Sequence, residues 1–298
     1  MSNSKENFKS GKVVLIGEPN VGKSSIVNAI VGEDVSIVTN IAGTTREEIR
    51  GIKTTDKYQI IFLDTPGMHK AHNQLQKFMS RSISHALSGA DLIVYVIDST
   101  DFKDAYIKKL SNYENAGIPV IVVINKTDKT TFEKMYPRLD ALGKLSFVKS
   151  IIPTSVKNGF NIDVLEGEIA KYLPYGIAMH DEENYTTQTT KKMSEEIIRK
   201  SLLELTKREI PHSVAVKITK FDEGKKEIEI HADIFCDRES QKPIIIGKRG
   251  ELLKRVGETA RKEIQALTGK HIKIFTHVIV REGWRDKKSI LDDLGYMG

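Results

Sequence analysis

The chain of 298 residues has a single cysteine, Cys236. One cysteine makes neither an internal disulfide nor a cysteine-rich zinc site, so a reducing cytoplasm is the default compartment. Long apolar runs are missing too. The longest, near 92–97 and 118–124, reach about seven residues, whereas a membrane helix needs roughly 17–25. Residues 1–10 are polar and hold no apolar signal core, which argues against secretion. The eight histidines show no HExxH or other metal-ligand spacing. Cys236 is expected to be an ordinary strand residue.

What is present is charge, unevenly placed. Lys and Arg number 46 and Asp and Glu 40, a net of +6. Residues 1–185 hold 22 of each sign, and residues 186–298 hold 24 basic and 18 acidic. The stretch 242–273 alone has nine basic and three acidic residues, which equals the whole excess. A neutral module therefore precedes one that carries a footprint for a polyanion. At roughly 100–200 residues per domain the length suits two domains.

Short β-branched runs at 12–16, 58–63, 91–97, 119–125 and 147–152 alternate with helical patterns near 23–32, 74–88, 102–115, 132–145 and 161–173. Apolar strands alternating with helices indicate a doubly wound, mostly parallel α/β sheet buried on both faces. A further strand at 47–55 would pair with 58–63 as a hairpin. The alternation stops at Pro174, and 180–190 has no large aliphatic residue. The expected division is a first domain at 1–176, a linker at 177–190 and a second domain at 191–298. The second is α+β: a helix at 191–209, strands at 213–219 and 227–235, the run Pro243-Ile244-Ile245-Ile246-Gly247, a helix at 250–267 and a strand at 271–280.

Gly17-Glu18-Pro19-Asn20-Val21-Gly22-Lys23-Ser24 fits GxxxxGK[ST], after a strand and at the start of a helix. Such a loop curls its backbone N–H groups around phosphates at a helix N-terminus. Lys23 adds a cation for the β/γ-phosphates, and the Ser24 hydroxyl, followed by Ser25, can ligate Mg²⁺. Asp64-Thr65-Pro66-Gly67 closes the next buried strand. Asp64 can hold Mg²⁺ there, and the Gly67 N–H can sense a γ-phosphate. Between them lies Ala42-Gly43-Thr44-Thr45-Arg46, where either Thr44 or Thr45 can complete the metal shell. Candidate groups at the reacting phosphate are Lys23, Thr44, Thr45 and Gly67. Asn125-Lys126-Thr127-Asp128 follows a buried strand. An Asp128 carboxylate pairs with the N1–H and N2–H₂ edge of guanine and is left unpaired by adenine. Lys126 lines the base plane, and Ser155-Val156-Lys157 can close over it.

These motifs, in this order over 11–173, resemble translation-factor-class GTPases of the Era/TrmE group. The resemblance implies GTP hydrolysis to GDP with Mg²⁺. Where Ras-like proteins carry a water-orienting glutamine, this chain has Met68, so unaided turnover is expected near the roughly 10⁻⁴ s⁻¹ scale of intrinsic Ras. In this group an asparagine at position 20 resembles a K⁺ ligand, so K⁺ is expected at Asn20.

In the basic region, Ile246-Gly247-Lys248-Arg249-Gly250 fits the IGxxG core of a KH domain, whose turn clamps about four nucleotides. Lys248, Arg249, Lys254 and Arg255 would add phosphate contacts, and Ile244, Ile245 and Ile246 would form an apolar wall for splayed bases. The element order resembles a type II KH domain. A GTPase followed by one KH domain is similar to the Era family of bacterial ribosome-assembly GTPases. That family implies binding of the 3′ end of small-subunit ribosomal RNA and of the small subunit, in a cytoplasmic monomer. Two other functions stay open at this level: an RNA chaperone with a structural nucleotide site, and a signalling GTPase loosely held on the inner face of the cell membrane. The switch departs from the best-known Era proteins, which carry a glutamine before the two threonines.

Overall fold

The computed structural model describes residues 7–39, 41, 45–46, 48–68, 71–101, 103–207 and 210–296. The chain divides into two compact units, one of residues 1–36, 45–69 and 79–187, the other of 37–44, 70–78 and 188–298.

The first unit contains β1 (Lys9–Gly17), α1 (Lys23–Val31), β2 (Ile49–Thr54), β3 (Tyr58–Asp64), the later turns of α2 (Gln74–Ser88), β4 (Leu92–Asp98), α3 (Asp104–Leu110), β5 (Val120–Asn125), α4 (Phe132–Gly143), β6 (Val148–Pro153) and α5 (Ile162–Tyr172). The sheet order is β2-β3-β1-β4-β5-β6. Only the β2–β3 hairpin is antiparallel. Strand side chains alternate between faces. Val13, Leu15, Val94 and Val123 face α1 and α5, while Val14, Ile16, Tyr95 and Ile124 face α2, α3 and α4. The helix expected at 102–115 ends at Leu110 and passes into a 3₁₀ turn, Ser111–Tyr113.

The stretch expected as a linker is tied down over most of its length. Ile52 N–H donates to Tyr185 O at 2.8 Å, and Thr186 Oγ1 donates to Arg50 O at 2.8 Å. The Gln59 amide accepts from the backbone N–H groups of Met179 and His180 and donates to His180 O. Residues up to Thr187 thus form a strap on the edge of the first sheet. The edge strand β2 had backbone groups to satisfy, and this polar segment satisfies them.

The second unit contains α6 (Thr190–Leu205), α7 (Ile210–Ser213), β7 (Ala215–Glu223), β8 (Glu227–Cys236), α8 (Lys242–Ile246), α9 (Glu251–Thr268), β9 (His271–Val280) and α10 (Lys288–Asp293). Its sheet runs β7-β8-β9, with β8 antiparallel to β7 and parallel to β9. Ile198, Leu202, Ile230, Val256, Ala260 and Ile264 meet in one core. The helix expected to 209 stops at Leu205, where Thr206 donates its hydroxyl to Leu202 O at 2.6 Å. The tail past β9 is folded: Trp284 is fully buried and its indole N–H donates to Ser213 O at 2.9 Å.

Candidate functional site

In an open parallel sheet the loops that leave the carboxyl ends of the strands share one edge, where ligands bind. Here the loops after β1, β3, β5 and β6 carry the four nucleotide motifs. The β1–β3 register sets Leu15 beside Asp64, so the phosphate loop and the Asp64 loop start side by side. Thr65 locks the pair by donating its hydroxyl to Leu15 O at 2.7 Å. Pro66 and Gly67 are buried behind it, and a Cβ at Gly67 would stand 2.8 Å from Pro19. Gly22 caps α1 with φ +102, and a Cβ there would strike Asn125 Nδ2 at 2.2 Å, so only glycine fits.

Lys23 is buried. Its ammonium donates to Gly17 O at 3.2 Å and Glu18 O at 3.1 Å. Burial pulls its pKa down to about 8, against the opposing charges of Asp64 and Glu18. Ser24 Oγ donates to Asp64 Oδ2 at 2.6 Å and lies 3.2 Å from Thr45 Oγ1. Burial raises the Asp64 carboxyl above its ordinary value, with Lys23 and Ser24 acting the other way. Ser24, Thr45 and Asp64 thus bring together three oxygens that could hold a metal, while Thr44 lies outside the described residues. The set fits Mg²⁺. All donors are oxygens, Asp64 Oδ1 is buried without a hydrogen-bond partner, and Mg²⁺ usually takes one carboxylate plus substrate phosphates. No group of three or more His, Cys, Asp or Glu that could hold a metal by itself occurs among the described residues.

The base-reading loops are tied to the phosphate loop. Asn125 Nδ2 donates to Val21 O at 2.9 Å. Lys126, at φ +63, donates to Asn20 O and to Asp98 Oδ2, the latter at 2.7 Å. Burial would raise the Asp98 carboxyl, but hydrogen bonds from Lys126 and Thr100 hold it below the ordinary range. Ser155 Oγ donates to Asp128 Oδ1 at 2.7 Å and so fixes the carboxylate expected to meet a guanine edge. Ser155 also exchanges backbone hydrogen bonds with Phe160, which closes the loop holding Val156 and Lys157. Ser25 lies in the first turn of α1. Met68 packs against the core beyond the sheet, and Tyr113 donates to its sulfur at 3.5 Å. A thioether at that position offers no donor to orient a water. Asp98 was not legible as part of the site, because its role arises only when β4 and β5 pair Asp98 with Asn125.

In the second unit the turn Gly247–Gly250 joins α8 to α9. Gly247 has φ +74, and a Cβ there would meet Leu252 Cβ at 2.6 Å. The turn holds Lys248 and Arg249 exposed, with Arg249 itself at φ +53. Beside it an open groove of about 520 Å³ runs between α9 and β9, lined by Gly250, Leu253, Lys254, Gly257, Arg261, Ile274 and Phe275, among others. Arg255 is exposed one residue beyond Lys254. The expected wall of three isoleucines is corrected: Ile245 is fully buried in the core, Ile246 is half-buried against it, and Ile244 alone is well exposed. A helical turn sends consecutive side chains in different directions, so three in a row cannot share one wall. Phe275, exposed and stacked on His231 at 4.8 Å, supplies apolar surface at the groove that the basic motif did not reveal.

Residues 12–126 match the family described as 50S ribosome-binding GTPase, and residues 209–285 match the KH domain family. The chain is 39% identical to GTPase Era of Caldanaerobacter subterraneus, over 97% of this chain and 98% of that protein. It is 38% identical to GTPase Era of Clostridium botulinum over the same shares. Its structure superposes on Era in complex with MgGDPNP and nucleotides 1506–1542 of 16S ribosomal RNA with a TM-score of 0.92, at 36% identity over 97% of this chain and 99% of that one. The corresponding score for a tyrosine-to-alanine variant of Aquifex aeolicus Era bound to GDP·AlF₄⁻ is 0.93 at the same identity and coverage. Matched over 97% of its length at 39% identity, the chain belongs to the Era family of GTPases.

Proposed function

We propose that this protein hydrolyses GTP to time its grip on the 3′ end of small-subunit ribosomal RNA during assembly of that subunit. The observation that carries the proposal is the joint presence, in one chain, of the guanine-nucleotide motifs at one sheet edge and a KH groove. A family member of nearly the same extent has been solved with both MgGDPNP and a 16S ribosomal RNA fragment.

The nucleotide site works by positioning and charge. The phosphate loop and α1 receive the phosphates, Lys23 meets the β/γ oxygens, and Asp128 with Lys126 holds guanine. Ser24, Asp64 and Thr45 would hold Mg²⁺, which supplies charge neutralisation at the phosphates when bound. The Gly67 N–H would sense the γ-phosphate, and the Thr45 hydroxyl would join the same ligand set. No side-chain base is assigned, because Met68 is turned into the core. Slow unaided hydrolysis follows, and K⁺ at Asn20 would add the charge that an arginine finger supplies elsewhere. Asn20 sits exposed at φ +62 at the tip of the phosphate loop, which supports that placement. In the KH unit, Gly247 and Gly250 let the backbone approach the sugar-phosphate chain. Lys248, Arg249, Lys254 and Arg255 contact phosphates, and Ile246 and the groove floor accept unstacked bases.

The protein acts as a cytoplasmic monomer in this reading. No described helix is long and apolar enough to cross a membrane. The test pairs two assays on the full chain. Multiple-turnover phosphate release should rise with small subunits or their RNA, and should be faster in K⁺ than in Na⁺ buffer. Crosslinking in cells with sequencing of bound fragments should peak at the small-subunit 3′ end. A transfer-RNA or messenger-RNA profile would overturn the partner, and a single stoichiometric turnover would leave a chaperone with a structural nucleotide. Equal rates in Na⁺ and K⁺ would remove the cation from Asn20.

A further inference from the structure

Two loops expected at the phosphates are touched by one short helix. Gly17 and Glu18 of the phosphate loop hold the Lys23 ammonium through their carbonyls. The Met68 N–H donates to the same Gly17 O at 3.0 Å, so the peptide after Gly67 hangs on a carbonyl that also receives Lys23. Beside them runs α3, which passes through Ser111, itself at helical dihedrals, into the turn Ser111–Tyr113. Residues four apart on a helix share a side. Lys109 and Tyr113 stand four apart, and each reaches a different loop. The Lys109 ammonium pairs with the Glu18 carboxylate. The Tyr113 hydroxyl donates to Met68 Sδ at 3.5 Å. The helical run is rooted in the core: Leu110 is fully buried, and the Tyr113 ring packs on Tyr95 with centroids 6.3 Å apart. Burial raises the Tyr113 hydroxyl above its ordinary range, so it stays protonated and a donor. Neither Lys109 nor Tyr113 belongs to a nucleotide motif.

We propose that Lys109 and Tyr113 are positioning residues that act as one brace: they fix the spacing between the phosphate loop and the Gly67–Met68 peptide, and so set how well the site tells a nucleoside triphosphate from a diphosphate. A triphosphate engages both loops, because its γ-phosphate meets the Gly67 N–H, whereas a diphosphate ends at the phosphate loop. Gly67 already lies against that loop, where a Cβ would stand 2.8 Å from Pro19, so little slack is left to absorb a shift. Glu18 serves the arrangement twice, with its carbonyl on Lys23 and its carboxylate on Lys109. This inference rests on the site being one for a guanine nucleotide.

The test measures the affinity of the full chain for GDP and for a non-hydrolysable GTP analogue, both with Mg²⁺. Tyr113→Phe keeps the ring against Tyr95 and removes the hydroxyl alone. It should weaken analogue binding by about threefold, the scale of one modest hydrogen bond, and leave GDP binding unchanged. Lys109→Met, at a half-exposed position, should do the same, again by about threefold, and Lys109→Arg, which keeps the cation, should restore analogue binding. The double variant separates a brace from two independent contacts. Cutting either end of a brace loses it, so Lys109→Met with Tyr113→Phe should stay near about threefold, where independent contacts would give about ninefold. An unchanged ratio of analogue to GDP affinity overturns the inference, and so does the ninefold loss. An equal loss for both nucleotides also overturns it, since the two residues would then be purely structural. Were the unaltered protein to bind neither nucleotide, the reading of the site would fall and the inference with it, an outcome distinct from the others.

Discussion

Lys23 makes nucleotide binding proton-linked, and the direction and size of the linkage follow from its surroundings. In the nucleotide-free chain burial brings its pKa to about 8. Phosphate oxygens bind the ammonium form, so loading GDP should return the pKa toward the ordinary lysine value. Lys23 then takes up a proton on binding. Below about pH 7 the group is charged before and after, and affinity is flat. Above about pH 8 the free protein must first regain its proton, and affinity falls by about tenfold per pH unit. Between pH 7 and 8.5 the loss is roughly fourfold, and at pH 8 about half a proton is taken up per GDP bound. The assay is calorimetry of GDP binding in two buffers of different ionisation enthalpy. EDTA keeps any proton release that Mg²⁺ provokes at Asp64 out of the measurement. Zero proton uptake at pH 8 together with equal affinity at pH 7 and 8.5 would refute the reasoning.

The same shift has a stability side, with the sign fixed by the folded pKa lying below the unfolded one. Holding the buried ammonium charged costs the nucleotide-free fold roughly 3 kcal/mol at pH 7, from the shift between 10.5 and about 8. The cost is full below about pH 8 and fades as pH rises toward 10.5. Nucleotide-free protein should therefore gain stability across that window, and nucleotide-loaded protein should not, as chemical denaturation at pH 7.5 and 9 would show.

Lys23→Ala should abolish GTP turnover in a phosphate-release assay while nucleic-acid binding by the same chain persists. Lys248→Glu with Arg249→Glu should weaken RNA binding and lower the salt slope by about 2, one for each phosphate that no longer meets a cation, read by filter binding across a salt series. Gly257→Leu places a side chain where a Cβ meets nothing within 4 Å and points it at the groove. Replacing a mid-helix glycine should raise stability by about 0.5–1 kcal/mol, yet RNA affinity should fall, a split that thermal melts and binding curves reveal together. Trp284→Ala should cost about 3–5 kcal/mol, because it empties a fully buried site and strands the Ser213 carbonyl, and urea denaturation measures it.

Much of the first unit could be read from periodicity, because both faces of its sheet are covered and its strands are almost uninterrupted β-branched runs. β3 and β5 appear with boundaries within a residue or so, and α2 falls at Gln74–Ser88 as the pattern required. The motif residues sit where the fold of such sheets puts ligands, at strand carboxyl ends. What escaped reading depends on contacts between distant residues. The strap at 177–187 has no apolar rhythm, since backbone bonds to Arg50 and Ile52 and the Gln59 amide hold it. Lone residues such as Trp284 carry no period, so its burial could not be inferred from spacing. Asp98 acts through a partner 28 residues away, Lys126, and that spacing forms no motif.

Across the nucleotide site the two buried ionisable groups are held away from their ordinary behaviour in opposite senses. Burial favours neutral Lys23 and neutral Asp64, and each is the other's main opposing charge. A nucleotide and Mg²⁺ give the lysine an anion and the carboxylate a cation, so loading relieves both penalties together. Asp64 Oδ1, buried without a hydrogen-bond partner, belongs to the same unfinished arrangement. Ligand binding thus completes part of the fold. A site built this way couples uptake of Mg²⁺ to uptake of the nucleotide, because each ligand lifts the penalty on one member of the same buried pair.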